Sequence, residues 1–164
     1  MHKQTIQFEF EVFESIEELN TEDKKLMEDA RKATALAYAP YSKFKVGAVA
    51  ILNNGEIIKG SNQENASYPV GVCAERVLLG NAATLFPEMP IKSLYISYHN
   101  TLGESDEPIS PCGMCRQAIS EYEHRTHQKI RLIISGMEGK VFVFEHASLL
   151  LPLSFSSVNL LGDK

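Results

Sequence analysis

The sequence predicts an α/β protein in which a mixed sheet carries helices on both faces. Three observations predict it. Strand-like and helix-like periodicities alternate along the chain. Tight-turn signals, Asn53-Asn54-Gly55 and Glu138-Gly139, each separate two short β-rich runs, one towards either end. The 164 residues are 44% hydrophobic and 23% charged, the size and balance of one soluble domain. A domain of this length buries about 70% of the surface its unfolded chain exposes, so it needs no disulfide or metal merely to stay folded. Alternating elements of this kind place helices on the faces of a mixed sheet.

Each element has its own signal. Ile6, Phe8, Phe10 and Val12 alternate with Gln7, Glu9 and Glu11, the pattern of a half-buried strand. Asn20 and Thr21 can cap a helix in which Leu26, Met27, Ala30, Ala33, Thr34, Ala37 and Tyr38 recur at helical spacing, until Pro40 ends it. Val46 to Leu52 is a β-rich run that turns at Asn53-Asn54-Gly55 into a return strand, Glu56 to Gly60. After a polar loop from Ser61 to Val72, a helix starts at Cys73 and runs towards Phe86, stopping before Pro87. Ile91 to Tyr98 is a strand, Asn100 to Pro111 a loop, and Cys112 opens a second helix through Cys115, Ala118, Ile119 and Tyr122. Ile130 to Ser135 and Val141 to Phe144 are strands about the Glu138-Gly139 turn, and a short helix from His146 to Leu151 ends at Pro152.

Charge and composition exclude several functions. Lys plus Arg number 16 against 21 Asp plus Glu, a net charge of −5, so any basic face for nucleic acid is at most a local patch and no nucleic-acid partner is expected. The sequence has no apolar run long enough to span a membrane, so no membrane partner is expected. Met1 to Phe10 has no signal-peptide core, which points to a cytoplasmic protein. The three cysteines, Cys73, Cys112 and Cys115, are too few and odd in number for a disulfide framework, and point instead to metal or catalytic chemistry.

Cys112-Gly113-Met114-Cys115 is a C-x-x-C pair at a helix start, where the first free N–H groups and the helix dipole stabilise thiolates. Alone, the pair reads equally as zinc ligands or as a redox dithiol. Cys73 begins a different helix, and two helix starts aimed at one spot make a three-cysteine site. A structural zinc takes four protein ligands, whereas a catalytic zinc takes three and leaves a position for water. The five histidines (His2, His99, His124, His127, His146) do not stand at ligand spacing from a cysteine. Two residues past Cys73, Glu75 can reach an open zinc position and move its proton, although a first-turn Glu also complements a helix dipole. Arg76 can donate to a thiolate and relieve the negative charge of a three-thiolate zinc, or form a surface ion pair.

At these residues the chain resembles the small homotetrameric cytidine deaminases. Cys73-Ala74-Glu75-Arg76 and Pro111-Cys112-Gly113-Met114-Cys115-Arg116-Gln117 are similar to their two zinc motifs. Tyr41-Ser42-Lys43-Phe44 with Val46-Gly47-Ala48 resembles the substrate loop and first strand, Asn62-Gln63-Glu64-Asn65-Ala66 the ribose segment, and Leu150-Leu151-Pro152 with Phe155 the C-terminal motif. The resemblance implies a three-layer α/β/α sandwich on a five-stranded mixed sheet, to which the N-terminal strand would be an addition. It implies one domain over residues 1–164, with 1–20 as an extension. It also implies one zinc per chain held by Cys73, Cys112 and Cys115, a likeness shared with zinc deaminases in general. By the same resemblance, Glu75 passes a proton from water to pyrimidine N3 and later to the departing amino group, turning cytidine and deoxycytidine into uridine and deoxyuridine as in pyrimidine salvage. Asn62 and Glu64 would hold the ribose hydroxyls, Phe44 and Ala74 would meet the base, Arg76 would tune the zinc charge, and Phe155 would close a neighbouring subunit's site in a homotetramer. The chain departs from the pattern in its first 20 residues, in a longer acidic loop from His99 to Glu107, and after Phe155, where Ser156-Ser157-Val158-Asn159 lacks acidic residues. Two rivals are a deaminase of a nucleoside antibiotic of the blasticidin type, against which Asn62 and Glu64 speak, and a structural zinc or dithiol module, in which Glu75 would be dispensable.

Overall fold

In the computed structural model, which describes residues 1–161, six strands form one mixed sheet in the order β1-β6-β5-β4-β2-β3. The strands are β1 (Glu11–Phe13), β2 (Phe44–Leu52), β3 (Ile57–Ser61), β4 (Ile91–Asn100), β5 (Arg131–Ser135) and β6 (Val141–Phe144). Only β4 and β5 run parallel; they are joined by a crossover through a helix. Every other neighbour is antiparallel. The five strands expected by resemblance are therefore joined by the extra one at the β6 edge.

Helix α1 (Thr21–Ala33) covers one face and helices α2 (Ala74–Leu85) and α3 (Gly113–Thr126) the other. The strands sort their side chains accordingly, with Val49, Tyr95, Ile133 and Val143 packing under α1 and Ala48, Ala50, Ile96 and Ile134 packing under α2 and α3. Two close approaches set the layer spacing. A β-carbon on Gly47 would sit 2.3 Å from the Ala30 carbonyl oxygen of α1, and one on Gly60 would sit 2.4 Å from the Ala74 carbonyl oxygen of α2.

Asn20 caps α1 as expected, its side chain accepting from the Asp23 N–H. That helix stops at Ala33, short of the expected Tyr38, and tightens into a 3-10 turn over Thr34–Leu36, where the Thr34 hydroxyl donates to the Arg31 carbonyl at 2.7 Å. The expected Ile6–Val12 strand is paired only at Glu11–Phe13, opposite Val141–Val143, and β6 ends one residue further on at Phe144. The helix expected over His146–Leu151 is a 3-10 turn over Ala147–Leu150. A short helix α4 (Ser157–Leu161) closes the described chain. The last three residues of the single domain expected over 1–164 lie outside the described residues. Among those described, no helix is long and apolar enough to cross a membrane.

Candidate metal centre and active site

Cys73 is the N-cap of α2 and Cys112 the N-cap of α3. Cys115 lies in the first turn of α3 and is fully buried. The loop before Cys73 is pinned by a two-way backbone bridge between Gln63 and Val72, each N–H donating at 2.9 Å. The loop before Cys112 is pinned by Arg116, whose Nε donates to the Pro111 carbonyl at 2.7 Å and whose Nη1 donates to the Leu150 carbonyl at 2.9 Å. The two helix starts converge, with Cys73 Sγ 3.9 Å from Cys112 Sγ and Cys112 Sγ 3.5 Å from Cys115 Sγ. All three sulfurs lie within 4.8 Å of one another.

This spacing fits zinc. Zn–S bonds of about 2.3 Å in a tetrahedron put the sulfurs about 3.8 Å apart, close to the separations found here. Among the described residues no histidine, aspartate or glutamate joins the cluster as a fourth ligand. One thiol, that of Cys73, is biased towards its anionic form. Hydrogen bonding from Cys115, then from Cys112 and Arg76, outweighs burial and brings the Cys73 thiol down to about 5. The same bond to Cys73, together with burial, pushes Cys115 up. Arg76 also donates through Nη2 to the Gly71 carbonyl at 3.1 Å, while its buried Nε has no acceptor among the described residues.

Cys73, Glu75 and Cys112 line one cavity of about 190 Å³. Val46, Ile96 and Ile109 supply its apolar wall, and Asn62, Ser110 and Pro111 complete it. Glu75 is only 5% exposed, and burial, reinforced by the Cys73 charge, raises its carboxyl above the usual carboxylate range despite a bond from its own backbone N–H.

The other sequence-predicted residues divide. Asn62 reaches the cavity wall, held by accepting from the Val46 N–H at 2.7 Å and donating to the Phe44 carbonyl at 2.9 Å. Glu64 holds the Tyr41–Phe44 loop, with Oε2 accepting from the N–H groups of Tyr41 at 2.9 Å and Ser42 at 3.3 Å. Burial alone would raise its carboxyl, but these bonds hold it below the usual range. Phe44 stacks on Tyr98, ring centroids 4.9 Å apart, at the end of β2 that bears Val46. Ala74 is buried in the first turn of α2, beneath Gly60. Phe155 is not among the residues lining this chain's cavity; it is 58% exposed, and its carbonyl accepts from Gln117 Nε2 at 2.9 Å. Sequence reasoning assigned no site role to the walls Val46, Ile96, Ile109 and Ser110 or to the Arg116 clamp. Val46, next to the Tyr41–Phe44 motif, and Ser110 and Arg116, flanking or within the cysteine motif, had a local signal; Ile96 and Ile109 had none.

Residues 20–129 match the family model of the cytidine and deoxycytidylate deaminase zinc-binding region. A cytidine deaminase of Sporosarcina psychrophila is 34% identical over 137 residues, spanning 84% of this chain and 93% of its own length. One from Mycoplasma pneumoniae is 44% identical over 86 residues, 52% of this chain and 61% of its own. The crystal structure of cytidine deaminase from Burkholderia pseudomallei superposes with a TM-score of 0.69 at 38% identity, covering 80% of this chain and 97% of that one.

Proposed function

This chain belongs to the zinc-dependent cytidine deaminase family, and from that membership we propose how its residues divide the hydrolysis of cytidine to uridine and ammonia. Cys73, Cys112 and Cys115 hold the zinc. When bound, zinc supplies the Lewis acidity that makes water nucleophilic near neutral pH. The observation that carries the assignment of the proton shuttle is a buried carboxylate, Glu75, sharing one small cavity with two of the thiols without being one of the ligands.

Glu75 takes a proton from the attacking water and gives it to pyrimidine N3, so that C4 is polarised as the C–O bond forms. It then carries the other water proton, from the new C4 hydroxyl, to the amino nitrogen; the C–N bond breaks, C4 becomes a carbonyl, and ammonia leaves. Val46, Ile96 and Ile109 flank the flat base and exclude bulk water. Phe44, backed by Tyr98, stacks near the ring, and Ala74 packs close beneath it. Asn62 has one amide hydrogen and one lone pair remaining after its two backbone bonds, and Glu64 has Oε1; these serve the ribose hydroxyls. Deoxycytidine, lacking one of those hydroxyls, is also a substrate. Arg76 withdraws charge from the thiolates and keeps the metal electrophilic. Phe155, exposed on the single chain, closes the site of a neighbouring subunit in a homotetramer.

The test is incubation of the purified protein with cytidine, following uridine and ammonia, beside Glu75→Gln. The variant is expected to fold and bind about one zinc per chain while losing about a hundred- to ten-thousand-fold in turnover. A Glu75→Gln protein that keeps more than half of the activity would overturn the role of Glu75.

A further inference from the structure

The first thirteen residues stand apart from the cytidine site. Only Glu11–Phe13 is bonded into the sheet, and β1 is its outermost strand. Ahead of β1 the chain continues beyond the end of β6, with Phe10 stacked on Phe144 at 5.1 Å and Phe8 against Phe144 at 6.4 Å. Their cover is incomplete: Ile6 is 57%, Phe8 40%, Phe10 42% and Val12 49% exposed. An edge strand with open N–H and C=O groups and an apolar face is a template for another strand.

The occupant is legible in the arm itself. Gln4, Ile6, Phe8, Phe10 and Val12 fall on one face, Lys3, Thr5, Gln7, Glu9 and Glu11 on the other. Laid antiparallel on a second arm about Gln7, the segment sets Lys3 against Glu11 and Ile6 against Phe8, each pair occurring twice, and leaves only Phe10 of the two phenylalanines opposite a glutamine, Gln4. In-register parallel pairing sets Glu9 on Glu9 and Glu11 on Glu11, which repel. Centring on Glu9 does the same at the middle. Centring on Phe8 leaves Lys3 without a carboxylate, and centring on Ile6 faces both phenylalanines with Gln4 and His2.

We infer that this arm docks the same arm of a second copy of the chain, antiparallel about Gln7, joining two six-stranded sheets edge to edge. The pairing is independent of the fourfold assembly that Phe155 serves. The experiment is cross-linking of the full-length, zinc-loaded protein under mild oxidation. In Gln7→Cys the two sulfurs arise from directly opposed residues, about 4.5–5.5 Å apart at Cβ, and most of the chain should run as a disulfide-linked pair. In Thr5→Cys the two copies lie four residues apart along the ribbon, about 13 Å, and the chain should stay single. By light scattering, Lys3→Glu should lower the mass of the joined assembly and Lys3→Glu with Glu11→Lys should restore it. No link in Gln7→Cys, or an equal link in Thr5→Cys, overturns the pairing. A tetramer that persists without that link leaves the subunit-closure reading intact and rejects the arm pairing alone.

Discussion

Asp23 shows how one side chain ties a helix to the sheet. Its Oδ1 accepts from the Tyr95 hydroxyl at 2.6 Å and from Arg131 at 2.8 Å, and its Oδ2 accepts from Arg131 at 2.8 Å and Asn20 at 2.6 Å. Burial pulls the carboxyl up, but these partners outweigh it and hold it below the usual aspartate range. The folded value is therefore below the unfolded one, near about 3.9, so the stabilisation is fully present above that pH and is lost as pH falls through the folded value. Asp23→Asn should lower stability in urea at pH 7 by about 1–3 kcal/mol, less than for a fully enclosed pair because water reaches Arg131. As pH falls below about 3.9 the difference from wild type should shrink. The network was not legible in the sequence, for Asp23 and Arg131 stand 108 residues apart with no spacing to link them. Glu75 was legible because its chemistry is local, an acid two residues from a ligand.

Elements read well wherever one face is buried along the whole segment. The α2 and α3 starts, expected at Cys73 and Cys112, fall one residue later with those cysteines as N-caps, and the Asn53-Asn54-Gly55 turn joins β2 to β3. The alternation of Ile6 to Val12 overstated β1, because alternation reports which side chains can face a core but not how far the partner strand extends. Close packing between layers was also illegible. Gly60→Ala drives a methyl group into the Ala74 carbonyl, at the first residue of α2, and should displace Cys73. Gly47→Ala drives one into α1 on the opposite face of the sheet. Both should destabilise by about 1–3 kcal/mol in thermal or urea unfolding. Only Gly60→Ala should also weaken zinc retention, measured by competition with a chelating dye; equal zinc affinities in the two variants would contradict a site set by the seating of α2.

At the scale of the whole molecule, the exposed Phe155 makes the subunit arrangement testable. If Phe155 closes a neighbour's site, Phe155→Ala and Glu75→Gln should each be nearly inactive alone. Co-expressed, they should regain part of the wild-type turnover, because mixed assemblies contain some sites with both residues intact. No recovery would place Phe155 outside its neighbour's site. By itself the sequence determined the donor set, the acid beside it, the order of strands and helices, and the family. Those properties reside in residue type and in spacing within one helical turn or one strand, where short-range geometry is fixed by the backbone. Only the tertiary structure decided that Cys73 and Cys112, 39 residues apart, bring their sulfurs together, that Val46, Ile96 and Ile109 from separate segments wall one cavity, and that the N-terminal arm lies on an open edge. Which strands neighbour one another, and so which distant residues meet, is settled by burying the two faces of the sheet at once, a condition on the whole chain that no short stretch of it contains.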